Sequence, residues 1–76
     1  MKDKFYTVNQ GSPGVYSVVD VSTGATVNRF HLPGVLRAGP IVSGDRCTIT
    51  TLNTSSPINY VVELPSGKVL QRYFVS

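Results

Sequence analysis

The chain has 76 residues, a net charge of +3 and charged side chains at only 14% of positions. A domain of this length buries roughly 60% of the surface its unfolded chain exposes, so it is marginal unless disulfides, a metal or partner subunits support it. Cys47 and His31 are the only residues of their types, which excludes an intrachain disulfide and leaves Asp3, Asp20, Asp45 and Glu63 too sparse for a metal-ligand cluster.

The basic residues Lys2, Lys4, Arg29, Arg37, Arg46, Lys68 and Arg72 are scattered along the chain. This is a mild basic bias, without the stripe or the basic–aromatic interleaving that nucleic-acid binding needs. The opening MKDKFYTVN carries no apolar stretch after its lysines, and no apolar run reaches ten residues. The expectation is therefore no secretion signal, no membrane span and synthesis in a reducing cytoplasm.

Val, Ile, Thr, Tyr and Phe fill the segments between turns, and no helical periodicity is sustained, so every element is expected to be a strand. In chain order these are Lys4–Val8, Val15–Val21, Ala25–His31, Gly39–Val42, Arg46–Leu52, Ile58–Leu64 and Lys68–Val75. They are separated by Gly11-Ser12-Pro13-Gly14, Ser22-Thr23-Gly24, Leu32-Pro33-Gly34, Ser43-Gly44-Asp45, the segment 53–57, and Pro65-Ser66-Gly67. Such clusters of Gly, Pro, Ser and Asn break strands and supply turn geometry. Gly24 and Gly67 each suit the positive-φ position of a hairpin turn.

The chain also repeats itself. Val15–His31 (VYSVVDVSTGATVNRFH) returns as Ile58–Phe74 (INYVVELPSGKVLQRYF), 43 residues later and without a gap. Val18/Val61, Val19/Val62, Gly24/Gly67 and Arg29/Arg72 are identical, and Asp20/Glu63, Thr23/Ser66, Asn28/Gln71 and Phe30/Tyr73 keep their chemical type. Strand-rich units of roughly 40–45 residues are the spacing of β-propeller blades. The expected organisation is one all-β domain over residues 1–76, made of two repeats at about 4–33 and 39–76. The second repeat holds four strands and the first three, because Met1–Asp3 is too short and polar for a fourth. An alternative is a small single-chain β-barrel or sandwich in which the repeat is a relic of duplication.

Gly39-Pro40-Ile41-Val42-Ser43-Gly44-Asp45, then Cys47–Leu52, then Tyr60-Val61-Val62-Glu63-Leu64-Pro65-Ser66-Gly67-Lys68-Val69-Leu70, resembles one blade of the quinoprotein, YVTN and WD-like β-propellers. Val18-Val19-Asp20-Val21-Ser22-Thr23-Gly24 is similar to the second half of such a blade. The resemblance implies antiparallel blade-like sheets. Quinoprotein blades usually carry a docking Trp four residues after the turn glycine, where this chain has Asn28 and Gln71 and no Trp anywhere. A quinone cofactor is therefore not implied, and no other cofactor is expected. Propellers close with about four to eight blades, so two units imply completion by other copies of the chain or by docking onto a larger structural protein.

Candidates for chemistry are few. His31 with Ser17, Ser22 or Cys47 offers the types for a nucleophile and base, but a single histidine in a repeat is more commonly a strand-end polar residue. Cys47 reads as a small buried hydrophobe. Asp20 and Glu63 precede the two turns and are expected to cap turn amides in preference to forming paired carboxylates. Arg29 and Arg72, the only identical charged pair, could form a basic ring for an acidic partner; the ordinary alternative is pairing with Asp20, Glu63 or a neighbouring unit. Tyr16 and Tyr60 are candidate sugar-stacking residues, although tyrosines in β proteins are ordinarily core or interface side chains. Asn53-Thr54-Ser55 matches a glycosylation sequon, read as coincidence.

The expected function is a non-enzymatic structural or assembly subunit that self-associates or docks through its β units. Small Thr/Ser/Val/Gly-rich β proteins of this kind occur among bacteriophage virion and tail components, and incorporation in a virion is the expectation by analogy. The alternatives are a lectin-like carbohydrate-binding module and a regulatory protein that binds an acidic partner.

Overall fold

The computed structural model describes residues 5–53 and 56–75, Asn53 by its backbone alone. Seven strands follow one another: β1 (Tyr6–Gln10), β2 (Val15–Asp20), β3 (Thr26–His31), β4 (Val35–Ser43), β5 (Arg46–Asn53), β6 (Ser56–Glu63) and β7 (Lys68–Phe74). They form two antiparallel meanders, a three-stranded sheet in the order β1-β2-β3 and a four-stranded sheet in the order β4-β5-β6-β7. The described residues contain no helix, and the sheets do not close into a barrel. That corrects the single-chain barrel alternative: strands β3 and β4 do not pair across the junction, so the sheet is interrupted there.

β4 starts at Val35, four residues before the expected Gly39. The residues added are Val35–Ala38, which join the expected segment through two register shifts, between Leu36 and Ala38 and between Ala38 and Ile41. Gly39 has φ +93°, and a Cβ there would lie 2.8 Å from the Thr48 carbonyl oxygen on β5. Only glycine lets the irregular strand stay that close to its neighbour. The expected start of the first strand at Lys4, the segment Met1–Asp3 and the sequon residues Thr54 and Ser55 lie outside the described residues.

The two sheets bury one core between them. Val8, Tyr16, Val18, Phe30 and Leu32 come from the first sheet and its last connection. Cys47, Ile49, Tyr60, Val62 and Leu64 come from the second, with Tyr6, Leu36, Val42 and Ile58 packed around the rim. β2 alternates strictly, with Tyr16, Val18 and Asp20 buried and Val15, Ser17 and Val19 half-buried. This is the period of two expected for a sheet with one covered face. Tyr16 and Phe30 are cross-strand neighbours whose rings stack at 5.5 Å between centroids, the arrangement favoured between aromatic pairs.

The repeat is visible in the register as well as in the residues. The β2–β3 ladder shifts between Val18 and Val19, and the β6–β7 ladder shifts between Val61 and Val62, the corresponding pair 43 residues on. The strand before each hairpin follows a shorter offset. Val8 lies opposite Val18 and Thr48 opposite Val61, so β1 and β5 correspond at 40 residues. A four-residue connection, Gly11–Gly14, separates β1 from β2, whereas β5 and β6 have only residues 54–55 between them.

Candidate interaction surfaces

The two hairpin turns are built alike. Gly24 N donates to Asp20 O at 2.7 Å and Gly67 N to Glu63 O at 2.8 Å. Both glycines have φ +77°. The Asp20 Oδ1 accepts from Ser22 N at 2.9 Å and from Ser22 Oγ at 2.7 Å, and Glu63 Oε1 accepts from Ser66 Oγ at 2.9 Å. Thr23 Oγ1 accepts from Ala25 N and Ser66 Oγ from Lys68 N. The acidic residues thus hold their own turns, a local competition with the ladder that short polar side chains favour.

What the turns touch differs. The second turn lies against the first sheet: the Asn28 amide on β3 donates to the carbonyls of Pro65 at 3.0 Å and Ser66 at 2.7 Å. A Cβ on Gly67 would meet the Cβ and Cδ1 of Phe30 at 3.1 Å. The first turn meets nothing comparable, since a Cβ on Gly24 would have no atom within 4 Å.

The faces of the repeat are used in opposite senses. The first sheet turns Tyr16, Val18, Asp20, Phe30 and Leu32 inward, and their counterparts in the second repeat, Asn59, Val61, Glu63, Tyr73 and Val75, are half-buried or exposed. The second sheet turns Tyr60, Val62 and Leu64 inward, and their counterparts Ser17, Val19 and Val21 are half-buried or exposed. The β1/β5 pair behaves the same way at its own offset, with Cys47 and Ile49 buried and Thr7 and Asn9 exposed. The front of one unit therefore packs against the back of the next. A front-to-front arrangement would have buried the same positions twice.

Of the residues singled out in the sequence, Tyr16 and Tyr60 lie in the core and present no ring to a ligand. Tyr16 Oη has no hydrogen-bond partner among the described residues. Arg29 is exposed, opposite Ser17, and Arg72 is exposed, opposite Tyr60. Strand parity puts Arg29 on the face opposite Asp20, and Arg72 on the face opposite Glu63, so neither guanidinium can pair with the acidic residue of its own sheet. His31 lies exposed at the end of β3, opposite Val15, while Cys47 is buried on β5, so the two share no site. Burial pushes the Cys47 thiol up to about 11, against a smaller opposing effect of its hydrogen bond with the Ile41 backbone. Burial also raises the Tyr16 hydroxyl, with the Cys47 charge adding to it.

Asn28 is the contact that residue type alone did not single out. Its signal was present: a neutral amide at the same place in both repeats, four residues beyond the turn glycine. The exposed apolar side chains are the second omission. Val69, Leu70, Tyr73 and Phe74 on β7, followed by Val75, are all exposed, and among the described residues β7 has β6 as its only ladder partner. A hollow of about 140 Å³ lies there, lined by Ile58, Arg72, Tyr73 and Phe74. It is well below the roughly 300–1,000 Å³ of sites that enclose small molecules. No group of three or more His, Cys, Asp or Glu side chains that could hold a metal occurs among the described residues. Nor is any helix among them long and apolar enough to cross a membrane. No protein-family model, curated protein or solved structure matches the chain.

Proposed function

We propose that the chain is a non-enzymatic assembly subunit that associates with further copies of itself through its sheet units. The observation that carries this reading is the run of exposed apolar side chains along the edge strand β7, whose outer edge pairs with no described strand, and its continuation at Val75. A long apolar edge strand is a template for pairing and is ordinarily blunted or covered. Nothing in the described surface offers a competing chemistry. His31, Cys47 and the carboxylates are dispersed or engaged in turns, and the hollow beside β7 is small. The blade-like resemblance and the low charge point the same way, and placement in a bacteriophage virion or tail belongs to this proposal by analogy alone.

Multi-angle light scattering at micromolar to submillimolar concentration tests the reading. The expected result is a mass that rises in whole multiples of 8.2 kDa. A constant single-subunit mass with full β circular dichroism throughout that range would remove the proposal.

A further inference from the structure

We propose that copies of this chain join head to tail, the free Val21–Gly24 turn of one copy docking on the exposed Gln71–Tyr73–Val75 face of the next. The contact would be the one the chain already makes internally, displaced by one repeat. This inference rests on the self-association reading and specifies the surfaces that carry it.

The internal contact has a donor turn and an acceptor face. The donor is Leu64, Pro65, Ser66 and Gly67; the acceptor is Asn28, Phe30 and Leu32 with Val18 beside them. Moving every member by 43 residues gives versions of each that no described residue covers in the same way. The free turn is Val21, Ser22, Thr23 and Gly24, and the free face is Gln71, Tyr73 and Val75 with Val61 beside them. The exposures match this substitution position by position. Leu64 is 3% exposed and Val21 59%; Phe30 is 8% exposed and Tyr73 45%. Leu32 is buried and Val75 exposed.

The chemistry needed for docking is conserved across the displacement. Asn28 gives its amide hydrogens to the carbonyls of the second turn, and Gln71 carries an amide at the equivalent ladder position, opposite Val61 as Asn28 is opposite Val18. Gly67 lets the turn backbone approach the Phe30 ring, and Gly24, with the same φ of +77°, leaves an equal opening for the Tyr73 ring. The two turns share the closing bond from the glycine N–H to the carbonyl of the preceding acidic residue and the bond to a turn hydroxyl from the residue after the glycine, and Ser22 in place of Pro65 gives the free turn an added bond to Asp20 Oδ1. Because front packs on back, each copy has one free turn and one free face. Such a heterologous contact closes into a ring where the rotation allows and otherwise extends as a filament.

The intermolecular version is the weaker one. Around the free surfaces, Ser17 replaces Tyr60, Asn9 replaces Ile49, Thr48 replaces Val8 and Asn59 replaces Tyr16. Asn59 is engaged with Thr50 Oγ1 on its own sheet. Association is accordingly reversible and depends on concentration, whereas the internal contact persists in a lone subunit.

The test is complementation between two surface variants, V21D in the free turn and Y73D on the free face, by native mass spectrometry and sedimentation velocity. Each alone is expected to lose at least tenfold in association while keeping the wild-type far-ultraviolet circular dichroism. Mixed, they should form a one-to-one heterodimer and nothing larger, because one intact turn then meets one intact face. F74K, on the other side of β7, should leave wild-type assembly unchanged; assembly lost in F74K and kept in Y73D would assign the contact to the opposite face and overturn the inference. Should Y73D unfold, Q71A replaces it as the face variant, with the same heterodimer expected. Wild-type oligomers that survive both V21D and Y73D would overturn the head-to-tail contact and leave self-association standing. A wild-type chain that stays monomeric would overturn both.

Discussion

Gly24 and Gly67 share a φ of +77° and differ only in what surrounds them. Alanine at either position forces a side chain into the left-handed region, a cost of about 1–2 kcal/mol. At Gly67 the new Cβ also presses on Phe30 at 3.1 Å, while at Gly24 it meets open space. G67A is therefore expected to destabilise the folded monomer more than G24A, by about 1 kcal/mol, in urea denaturation of dilute protein; equal losses would mean that the second turn does not pack on β3. Thr51 is fully buried, and its Oγ1 has no partner among the described residues. T51V removes that buried polar atom at nearly constant volume and should raise stability by about 1 kcal/mol, seen as a higher melting temperature. Cys47 sets an alkaline limit. The unfolded thiol ionises from its ordinary 9.0, whereas the folded thiol holds its proton up to about 11. Between those values the unfolded state has released a proton that the folded state retains, so stability is full below pH 9 and falls as pH rises through that window. The loss from Cys47 is about 2–3 kcal/mol, Tyr16 adds to it with the same sign, and C47A should flatten the profile measured by denaturant titration from pH 8 to 11.

Among the elements, β3 does more than complete the first sheet. Asn28 anchors the second turn through two hydrogen bonds to carbonyls, each worth about 0.5–1.5 kcal/mol net. N28A should cost about 1–2 kcal/mol in the monomer, and a neutral effect would show that the turn is held by Phe30 alone. Strand positions were legible in the sequence because Gly, Pro and Ser clusters interrupt β-branched runs at nearly every junction. The exceptions are the expected break at 53–57, where Asn53 still pairs with Ser56 and Leu52 with Pro57, and β4. The expected strand began only at Gly39, and Val35–Ala38 before it join the ladder because the neighbouring β5 keeps the irregular segment in register with bulges, a tertiary effect that local propensity does not encode. Arg29 and Arg72 were legible as an identical pair, yet their freedom from Asp20 and Glu63 follows from strand parity and a bulge in each hairpin. A residue list contains neither.

For the whole molecule, the repeat announced two similar units but not how they face each other. Strand alternation predicts two faces, and in both β2 and β6 each face carries valine: Val18 against Val19, and Val61 against Val62. Hydrophobicity along one strand could not say which valine turns inward. The choice is made jointly by larger partners, Tyr16 and Phe30 in the first sheet, Ile49 and Tyr60 in the second. Those large side chains fall on opposite faces of the repeat, and the front-to-back stack follows. The same asymmetry leaves one turn and one face without their internal counterpart, which ties the architecture to the proposed assembly.

Hydrogen exchange measured across a protein dilution series tests that link most directly. Amides of Ser66, Gly67 and Lys68 in the turn docked within the chain should be equally protected at every concentration. Protection in residues 21–24 and 71–75 should rise together as concentration increases. A rise confined to other segments, such as the β4 edge, or no change across a range in which the particle mass grows, would contradict the account.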